Sequence, residues 1–541
     1  MYSVTFPRVV LALLRCSFSA VALPTTGSQI PGINAFSAFT PDALKIDIPD
    51  NFESLPETDP LRWLTSARIE VTKHLQQKIL RQKARNIILF LGDGMSISTI
   101  TAARILKGQK AGFLGEEQKL SFESFPFTGL SKTYCVDRQV ADSASTATAY
   151  FTGVKTNYGM LGVGPAVSRG DCKGMNEAQN RLTSIATWAQ ASDRVVGLVT
   201  TTRVTHASPA GMYAHVADRG WESDADVIKD KLDPSECEDI ASQLVTKLPG
   251  MDLRVNTKLF FLSWKNGNRK DGRNLIDMWK SIRIANSQKG EYVSDKASLL
   301  AVSPTTQYLL GNKMLRRFNL KPWIDDQIPN RFRSKYRHEL ATTDKPALSD
   351  MTAAAIKVLD KNPKGYFLFV EGGRIDHGHH KTKAQKALIE TIGFAEAIEV
   401  ALKMTDPEET LIVVTADHGH TMTISGYPKR GNDILGMAEV SDVDQLTYTT
   451  LSYANGPSNK TLLGQDKCVR YNLTNLDVTG DRDFMYPGTV PLHSETHDGS
   501  DVAVYATGPR SFMFSGNYEQ NYLPVAMAYA ACIGPYEKGC F

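Results

Sequence analysis

The sequence predicts an α/β protein, a three-layer sandwich built around a large and mostly parallel central sheet. Short apolar runs rich in β-branched residues recur along the 541 residues, as is typical of strands buried on both faces of a parallel sheet. Segments with helical periodicity separate these runs, and this alternation indicates strand–helix–strand units. The composition, 42% hydrophobic and 22% charged, is that of a globular protein.

Four of the apolar runs are predicted to form adjacent or nearby strands of this sheet. Helical segments lie between them, including residues 349–359 and 388–404. In open α/β sheets, ligands bind beyond the carboxyl ends of the strands. We therefore expect the functional site where these four runs end. The runs are NIILFL (86–91), VVGLVT (195–200), YFLFV (366–370) and TLIVVT (410–415).

Carboxylates, histidines and a serine follow these four runs. A single histidine is more often a surface or core residue, but seven of the 11 histidines lie after residue 370. Carboxylates combined with imidazoles suit zinc, and the oxygen donors also suit magnesium. The sequence therefore predicts a metal site formed by residues after the strands. These residues are Asp93, His206, Ser208, Glu371, Asp376, His377, His380, Asp417 and His418.

The spacing of these residues adds three expectations. Asp376 and His380 lie on one face if their segment is helical. Asp417 and His418 are adjacent, so a sharp turn is needed to direct both at one metal. His497 precedes a further predicted strand, DVAVYATG (501–508), which suggests a loop that returns to the site.

The segment ADSASTATAYFTG (141–153) contains the candidate nucleophile, Ser143. Asp142 suits the start of a helix, and the free N–H groups at a helix start also hold phosphate. A small-residue helix packed on the sheet, with Asp142 as a plain cap, is the simpler alternative. A serine needs a base or a metal to become nucleophilic, and two metals can assist an in-line displacement at phosphorus. Arg219 is a candidate to bind the phosphoryl oxygens.

Residues 1–22 resemble a secretory signal peptide, so the folded domain is expected to span 23–541. Arg8 precedes the apolar run VVLALL, and the segment ends in Ala20-Val21-Ala22; a disordered tail is the alternative. The remaining six cysteines and two sequons, at Asn459 and Asn472, favour glycosylation in an oxidising, extracellular setting.

Composition also limits the partners that we expect. No run of 18 apolar residues is present, so no transmembrane helix is expected. The net charge of +3 gives no reason to expect a nucleic-acid partner. The chain ends in CIGPYEKGCF without an apolar tail, so a soluble secreted protein is expected, with a cell-surface form as the alternative if the chain continues.

Six blocks of the chain, in order, resemble those of animal-type alkaline phosphatases. They are LFLGDGMS, VADSASTATAY, TTTRVTHASPAGMYAHVADR, FVEGGRIDHGHH, VTADHGH and ETHDGSDVAVYA, and the likeness extends from about residue 50 to 541. The resemblance implies hydrolysis of phosphate monoesters through a phosphoserine, with two zinc ions and one magnesium ion per subunit. A related phosphodiesterase and a catalytically silent phosphate- or metal-binding protein are the alternatives.

The resemblance also implies a role for each matching residue. Ser143 would be the nucleophile and Arg219 would bind phosphate. Asp376, His380 and His497 would hold one zinc; Asp93, Asp417 and His418 would hold the other; Asp93, Ser208 and Glu371 would hold magnesium. His206 and His377 would lie next to these ligands without binding the metals themselves, at positions where the bacterial branch typically carries Asp and Lys.

The same resemblance implies a homodimer and a small crown-like insertion. The helix at 59–77 would embrace the partner, Tyr427 would approach the partner's site, and the insertion would span about 424–490. It implies two disulfides and leaves open whether Cys135 and Cys468 pair or stay free. The implied pairs are Cys172–Cys237 and Cys532–Cys540.

Three stretches depart from the family pattern. RVNTKLFFLSWKNGN (254–268) replaces a glycine-rich block, and the segment 309–337 lacks the family's calcium ligands, so a calcium site is not expected. Ser494 stands where an acidic residue is usual near the site entrance, which we expect to affect substrate preference or inhibitor response and not the core chemistry. The basic segment NRFRSKYRH (330–338) is interpreted as solvated surface, with polyanion binding as the alternative.

Overall fold

The computed structural model describes residues 54–257, 269–311, 346–458 and 470–540. Residues 77 to 541 belong to one compact unit, and residues 54–76 belong to another. The predicted signal peptide, Asn459, Cys468, and the segments 258–268 and 312–345 lie outside the described residues. The expectations about a calcium site and about the basic segment therefore stay predictions.

Seventeen strands form the sheets of the larger unit. In chain order they are β1 (Asn86–Leu91), β2 (Phe127–Lys132), β3 (Val195–Thr200), β4 (Val255–Thr257), β5 (Gly290–Val293), β6 (Tyr308–Gly311), β7 (Tyr366–Glu371), β8 (Thr410–Thr415), β9 (Gly419–His420), β10 (Met422–Ile424), β11 (Met437–Val440), β12 (Thr447–Thr449), β13 (Leu451–Gly456), β14 (Gly488–Pro491), β15 (His497–Asp498), β16 (Val502–Thr507) and β17 (Gly516–Glu519). This count covers the described part of the chain.

The central sheet has ten strands in the order β17-β2-β16-β8-β1-β7-β3-β4-β6-β5. All neighbouring pairs are parallel except those of β16, which runs antiparallel to both β8 and β2. This confirms the predicted α/β class with a mostly parallel sheet. The antiparallel direction of β16 also explains why His497 comes before its strand, whereas the other predicted ligands come after theirs.

The described residues form fourteen α-helices, and those of the larger unit cover both faces of the sheet. Their bounds are α1 (Pro60–Leu75), α2 (Ile97–Lys110), α3 (Ser143–Thr152), α4 (Cys172–Asn176), α5 (Ile185–Ala191), α6 (Ala207–Ala210), α7 (Asp224–Lys229), α8 (Ile240–Thr246), α9 (Leu275–Ala285), α10 (Lys296–Leu300), α11 (Leu348–Leu359), α12 (Arg374–His379), α13 (Ala384–Met404) and α14 (Tyr522–Ala531). The helix α1 belongs to the smaller unit, and the other helices belong to the larger one.

Alternate residues of β1 enter two separate hydrophobic cores. Ile87 and Leu89 pack in the core that includes side chains of α3, α5, α8 and α14. Ile88 and Phe90 pack in the core that includes side chains of α2, α11 and α13. Because successive side chains of a strand point to opposite faces, the sheet is the middle layer of three.

Two small sheets lie in the region predicted as a crown. The strands β10, β13 and β14 form a three-stranded sheet, and β11 pairs with β12. A separate two-stranded pairing joins β9 to β15, with His420 opposite His497. This pairing connects the end of β8 to the segment before β16. The proposed crown boundaries themselves stay a prediction.

Candidate functional site

The ends of four adjacent central strands, β8, β1, β7 and β3, lie at one level. Leu91 of β1 is aligned with Glu371 of β7 and with Thr415 of β8, and Thr200 of β3 is also aligned with Glu371. The side chains that follow these ends are therefore brought together. Four of the predicted ligands that follow these strands are 0% exposed: Asp93, Ser208, Glu371 and Asp417.

The first cluster is formed by Asp376, His380 and His497. Its two imidazoles lie close to the carboxylate of Asp376. Asp376 and His380 lie one turn apart on and just after α12, and His380 Nε2 is 3.1 Å from Asp376 Oδ1. His497 Nε2 lies 3.5 Å from the same oxygen. Both imidazoles donate their Nδ1–H to main-chain carbonyls, at Glu495 and Ala141, which leaves Nε2 free to bind a metal.

The second cluster is Asp93, Asp417 and His418. His418 Nε2 lies 3.2 Å from Asp417 Oδ2 and 3.6 Å from Asp93 Oδ1. The N–H groups of Gly94 and His418 both donate to Asp417 Oδ1 at 3.0 Å, so Oδ2 points at the imidazole. These hydrogen bonds hold Asp417 and His418 in the sharp turn that two adjacent residues need to face one metal ion.

The third cluster consists of Asp93, Ser208 and Glu371, and it shares Asp93 with the second cluster. Glu371 Oε2 accepts hydrogen bonds from the hydroxyls of Thr200 and Thr202, while its Oε1 accepts none. Burial raises the pKa of Glu371 to about 7, although the hydroxyls of Thr200, Thr202 and Ser208 lower it. A carboxylate in this setting gains from a bound cation.

Several buried oxygens of these clusters lack hydrogen-bond partners, which indicates whether the clusters suit metal ions. Neither carboxylate oxygen of Asp93 has a hydrogen-bond partner, and neither do Asp417 Oδ2 and Glu371 Oε1. Burial and the neighbouring carboxylates raise the pKa of Asp93 well above its usual value. Buried acceptors without donors are costly, and a divalent cation satisfies several of them at once. The residues therefore fit bound metal.

Ser143 begins α3, directly after its cap. Asp142 accepts hydrogen bonds from the N–H groups of Ala144 and Ser145, each at 3.2 Å. The hydroxyl of Ser143 is 2% exposed and lies 3.1 Å from His418 Nε2. The candidate nucleophile thus faces the second cluster from the start of a helix, where free N–H groups favour anions.

Arg219 is held beside this helix start. Its Nη1 donates to Asp142 Oδ2 at 2.9 Å, so Asp142 is both a helix cap and an arginine partner. Burial raises the pKa of Asp142, but Arg219 and the hydrogen bonds to its oxygens hold it below its usual value. Asp142 thus holds the guanidinium of Arg219 at the start of α3, where Ser143 lies.

His206 and His377 lie edge to face with ring centroids 5.4 Å apart. His206 Nε2 is 3.4 Å from Arg219 Nη2, and His377 Nδ1 accepts from Arg374 Nη1 at 3.0 Å. Burial lowers the pKa of His377 to about 4 and also lowers that of His206. Both rings are therefore neutral neighbours of the site.

Three buried residues escaped the sequence-based predictions of site residues. His420 contacts Asp376, Glu495 contacts His420, and His379 stacks on His420 with ring centroids 4.8 Å apart. His379 also bonds to Thr99 and Tyr453 through its two nitrogens. All three belong to the blocks already quoted, and the clustering of His379 and His420 among seven histidines was the available signal for those two.

The remaining predicted residues lie elsewhere in the described structure. Tyr427 is 93% exposed, and Asn472 is exposed. Disulfides join Cys172 to Cys237 and Cys532 to Cys540. Cys135 is buried and forms no disulfide with any described cysteine. Among the described helices none combines the length and the apolar character needed to cross a membrane.

Comparison with known proteins shows the family. The profile of the Alkaline phosphatase family matches residues 84–533. The chain is 44% identical over 495 residues to an alkaline phosphatase from Gadus morhua, covering 88% of this chain and 98% of the relative. It is 42% identical over 507 residues to a membrane-bound alkaline phosphatase from Bombyx mori, covering 90% of this chain and 88% of the relative.

The solved structures support the fold. The alkaline phosphatase of the Antarctic bacterium TAB5 superposes with a TM-score of 0.54 at 22% identity. The match covers 83% of this chain and 99% of the bacterial one. At this identity, the likeness concerns the arrangement of strands and helices.

Proposed function

The chain belongs to the alkaline phosphatase family and hydrolyses phosphate monoesters, and we propose that it does so through a phosphoserine formed on Ser143. We further propose that two zinc ions and one magnesium ion occupy the three clusters. The first and second clusters would hold zinc, and the third would hold magnesium. The observation that carries this proposal is the convergence of unpaired, buried carboxylate oxygens beside Ser143.

The donor sets support this division of metals. The first and second clusters combine carboxylates with imidazoles, as zinc prefers. The third offers carboxylate and hydroxyl oxygens, as magnesium prefers. Asp93 belongs to two clusters, and its two unpaired oxygens allow it to bridge them. When bound, the ions supply positive charge that stabilises the attacking and leaving oxygens at phosphorus.

In the proposed reaction Ser143 acts as a covalent nucleophile. Its Oγ forms a bond to phosphorus while the bond from phosphorus to the ester oxygen breaks, and the serine proton ends on the departing alcohol. Water then attacks the phosphoserine, which breaks the bond to Oγ and releases inorganic phosphate. Arg219 binds the phosphoryl oxygens throughout, and Asp142 keeps its guanidinium in place.

This arrangement predicts a preference for monoesters over diesters. A monoester dianion offers several free oxygens to Arg219, whereas a diester carries one negative charge and a second substituent. We expect the protein to hydrolyse an aryl phosphate at alkaline pH with a much higher kcat/KM than an aryl diester. Arg219→Ala should lower kcat/KM for the monoester by about 10²- to 10³-fold and for the diester by much less.

Steady-state kinetics with both substrates measure this difference. Arg470→Ala is a matched control, since Arg470 is also paired with an aspartate, Asp444, but lies in the crown-like region. The control should keep wild-type kinetics with both substrates. Equal losses on the two substrates with Arg219→Ala, or a better rate on the diester in wild type, would contradict the proposal.

We propose that the active protein is a homodimer in which α1 contacts the partner. The helix carries an exposed apolar stripe, since Leu64, Val71 and Leu75 are 57%, 57% and 63% exposed and share one face. Exposed apolar stripes of this kind are typical of interfaces. Tyr427, exposed on the larger unit, is proposed to approach the partner's site.

Charge placed on this stripe should dissociate the dimer. Leu64→Glu combined with Val71→Glu is expected to yield monomers in analytical ultracentrifugation, because burying two carboxylates in an interface is costly. Lys73→Glu changes charge on the opposite face of α1 and should leave the dimer intact. A wild-type protein that sediments as a monomer would refute the assembly.

We also propose that the protein is extracellular and glycosylated. The disulfides and the exposed sequon at Asn472 support this location. Mass spectrometry of the secreted protein should find a glycan on Asn472, and its absence would count against this location.

A further inference from the structure

Glu495 is a buried carboxylate two residues before a proposed ligand, His497. Its side chain is 0% exposed, yet the proposed reaction gives it no role. We propose that Glu495 is a positioning residue of the first cluster, which orients Asp376 through His420. The inference rests on the proposed function, in which Asp376 is a zinc ligand.

The side chain of Glu495 reaches Asp376 in two steps. His420 Nδ1 lies 2.5 Å from Glu495 Oε2, and His420 Nε2 lies 3.0 Å from Asp376 Oδ1. Each ring nitrogen of His420 thus lies within hydrogen-bond distance of one carboxylate, so the ring bridges Glu495 and Asp376. Glu495 therefore fixes the ring angle from which His420 holds one oxygen of Asp376.

The other oxygen of Glu495 is anchored to the chain next to His420. Oε1 accepts hydrogen bonds from the N–H of Thr421 at 2.8 Å and from its hydroxyl at 2.7 Å. Both oxygens of Glu495 are thus used, and neither is directed at an open position. The carboxylate has a single orientation, which is what a positioning residue requires.

The main chain of Glu495 is fixed to the same cluster. Its N–H donates to the carbonyl of His380 at 3.0 Å, and its carbonyl accepts from His380 Nδ1 at 2.6 Å. The main chain of Glu495 therefore lies against one of the three proposed ligands, His380. Its Oε2 also lies 4.0 Å from His380 Nδ1, so a double-mutant cycle with His420 is needed to isolate the path through that ring.

Two glycines enclose this path. A Cβ on Gly94 would lie 2.4 Å from the His420 ring, and a Cβ on Gly456 would lie 2.7 Å from Glu495 Cβ. Both glycines have φ in the left-handed region, at +70° and +128°. His379 stacks on the His420 ring, with centroids 4.8 Å apart. The ring is held by close packing as well as by its two hydrogen bonds.

Metal-ligand groups held by such partners bind their metals more tightly. Loss of an outer partner typically lowers metal affinity or activity by about 10- to 100-fold. We expect Glu495→Ala to weaken zinc binding at the first cluster by about this factor. The second zinc should keep its wild-type affinity, because Glu495 makes no described contact with Asp93, Asp417 or His418.

Competition with a chromophoric zinc chelator measures the two affinities separately in the dimeric protein. The expected result is that one zinc equivalent per chain is weakened in Glu495→Ala. In the cobalt-substituted protein, the visible absorption of the weakened site should shift, since the ligand geometry changes. Equal weakening of both equivalents, or wild-type affinity and spectrum, would overturn the proposal.

A double-mutant cycle tests the path through His420. Glu495→Ala combined with His420→Ala should weaken the first zinc no more than His420→Ala alone, because the side chain of Glu495 acts through that ring. Effects that multiply would overturn this path. Glu495→Gln serves if the alanine variant fails to fold: its amide keeps the volume and is also expected to weaken the first zinc.

Glu123→Ala is the matched control for loss of a largely buried carboxylate. Glu123 has 10% side-chain exposure and bonds to Arg104 and to the N–H of Leu120. The Glu123→Ala protein should retain both zinc affinities even if it melts at a lower temperature. A selective loss of the first zinc in this variant would overturn the proposal.

Asp376→Ala separates this inference from the proposed function. If Asp376→Ala retains both zinc ions, the ligand assignment is wrong. If it loses one zinc while both Glu495 variants bind as wild type, the positioning role alone is wrong.

Discussion

Ser143→Ala is expected to lower the turnover of aryl phosphate monoesters by about four orders of magnitude, because the proposed reaction loses the atom that forms the covalent intermediate. The hydroxyl lies beside the second cluster and at the start of α3. Residual activity then comes from direct attack by water, helped by the remaining charges. Steady-state kinetics and labelling with radioactive phosphate, which should leave no phosphoserine in the variant, measure the loss.

A control from the same helix excludes a general effect of removing a buried hydroxyl. Thr152 is buried at the other end of α3 and donates to the carbonyl of Thr148 at 2.7 Å. Thr152→Ala should keep activity near that of wild type, and Ser143→Ala should keep wild-type metal content. A fully active Ser143→Ala protein would mean that the nucleophile is assigned wrongly.

Removal of the metal ions by a chelator should abolish activity and lower the melting temperature. Without cations the unpaired oxygens of Asp93, Glu371 and Asp417 stay buried close to one another, which is unfavourable. Each ion that binds only the folded protein adds about 2.7 kcal/mol when its concentration is 100 times its Kd. Activity assays and calorimetry before and after dialysis against the chelator measure both effects.

Restoring the ions distinguishes metal loss from damage. Zinc and magnesium together should recover activity and melting temperature, whereas magnesium alone should not, because the first two clusters combine imidazoles with carboxylates. The same chelator saturated with zinc beforehand should have no effect. A metal-free protein with wild-type activity would rule out the proposed metal centre.

The central strands could be predicted because their environment is simple. β1, β3 and β8 match the apolar runs residue for residue, since a strand buried on both faces needs apolar side chains throughout. β2 was missed, because FTGLSK is half-buried and contains glycine. β4 spans only Val255–Thr257, too short for a pattern to appear.

The site could be predicted where a residue follows a strand in sequence. Asp93 and Asp417 are such residues, and strand alignment alone brings them together. His420 and Glu495 meet only because β9 pairs with β15, and nothing in either short segment specifies that register. The second function of Asp142 was missed for the same reason, because Arg219 is distant in sequence.

The antiparallel strand β16 has a consequence for the newly made chain. It is the only described connection between the pair β2–β17 and the rest of the central sheet, and it follows His497 directly. A ribosome must therefore synthesise the segment through β16 before the sheet can close and the last proposed zinc ligand can arrive. Because metal binding and folding are coupled when ligands come from distant segments, zinc capture would follow the synthesis of this late strand.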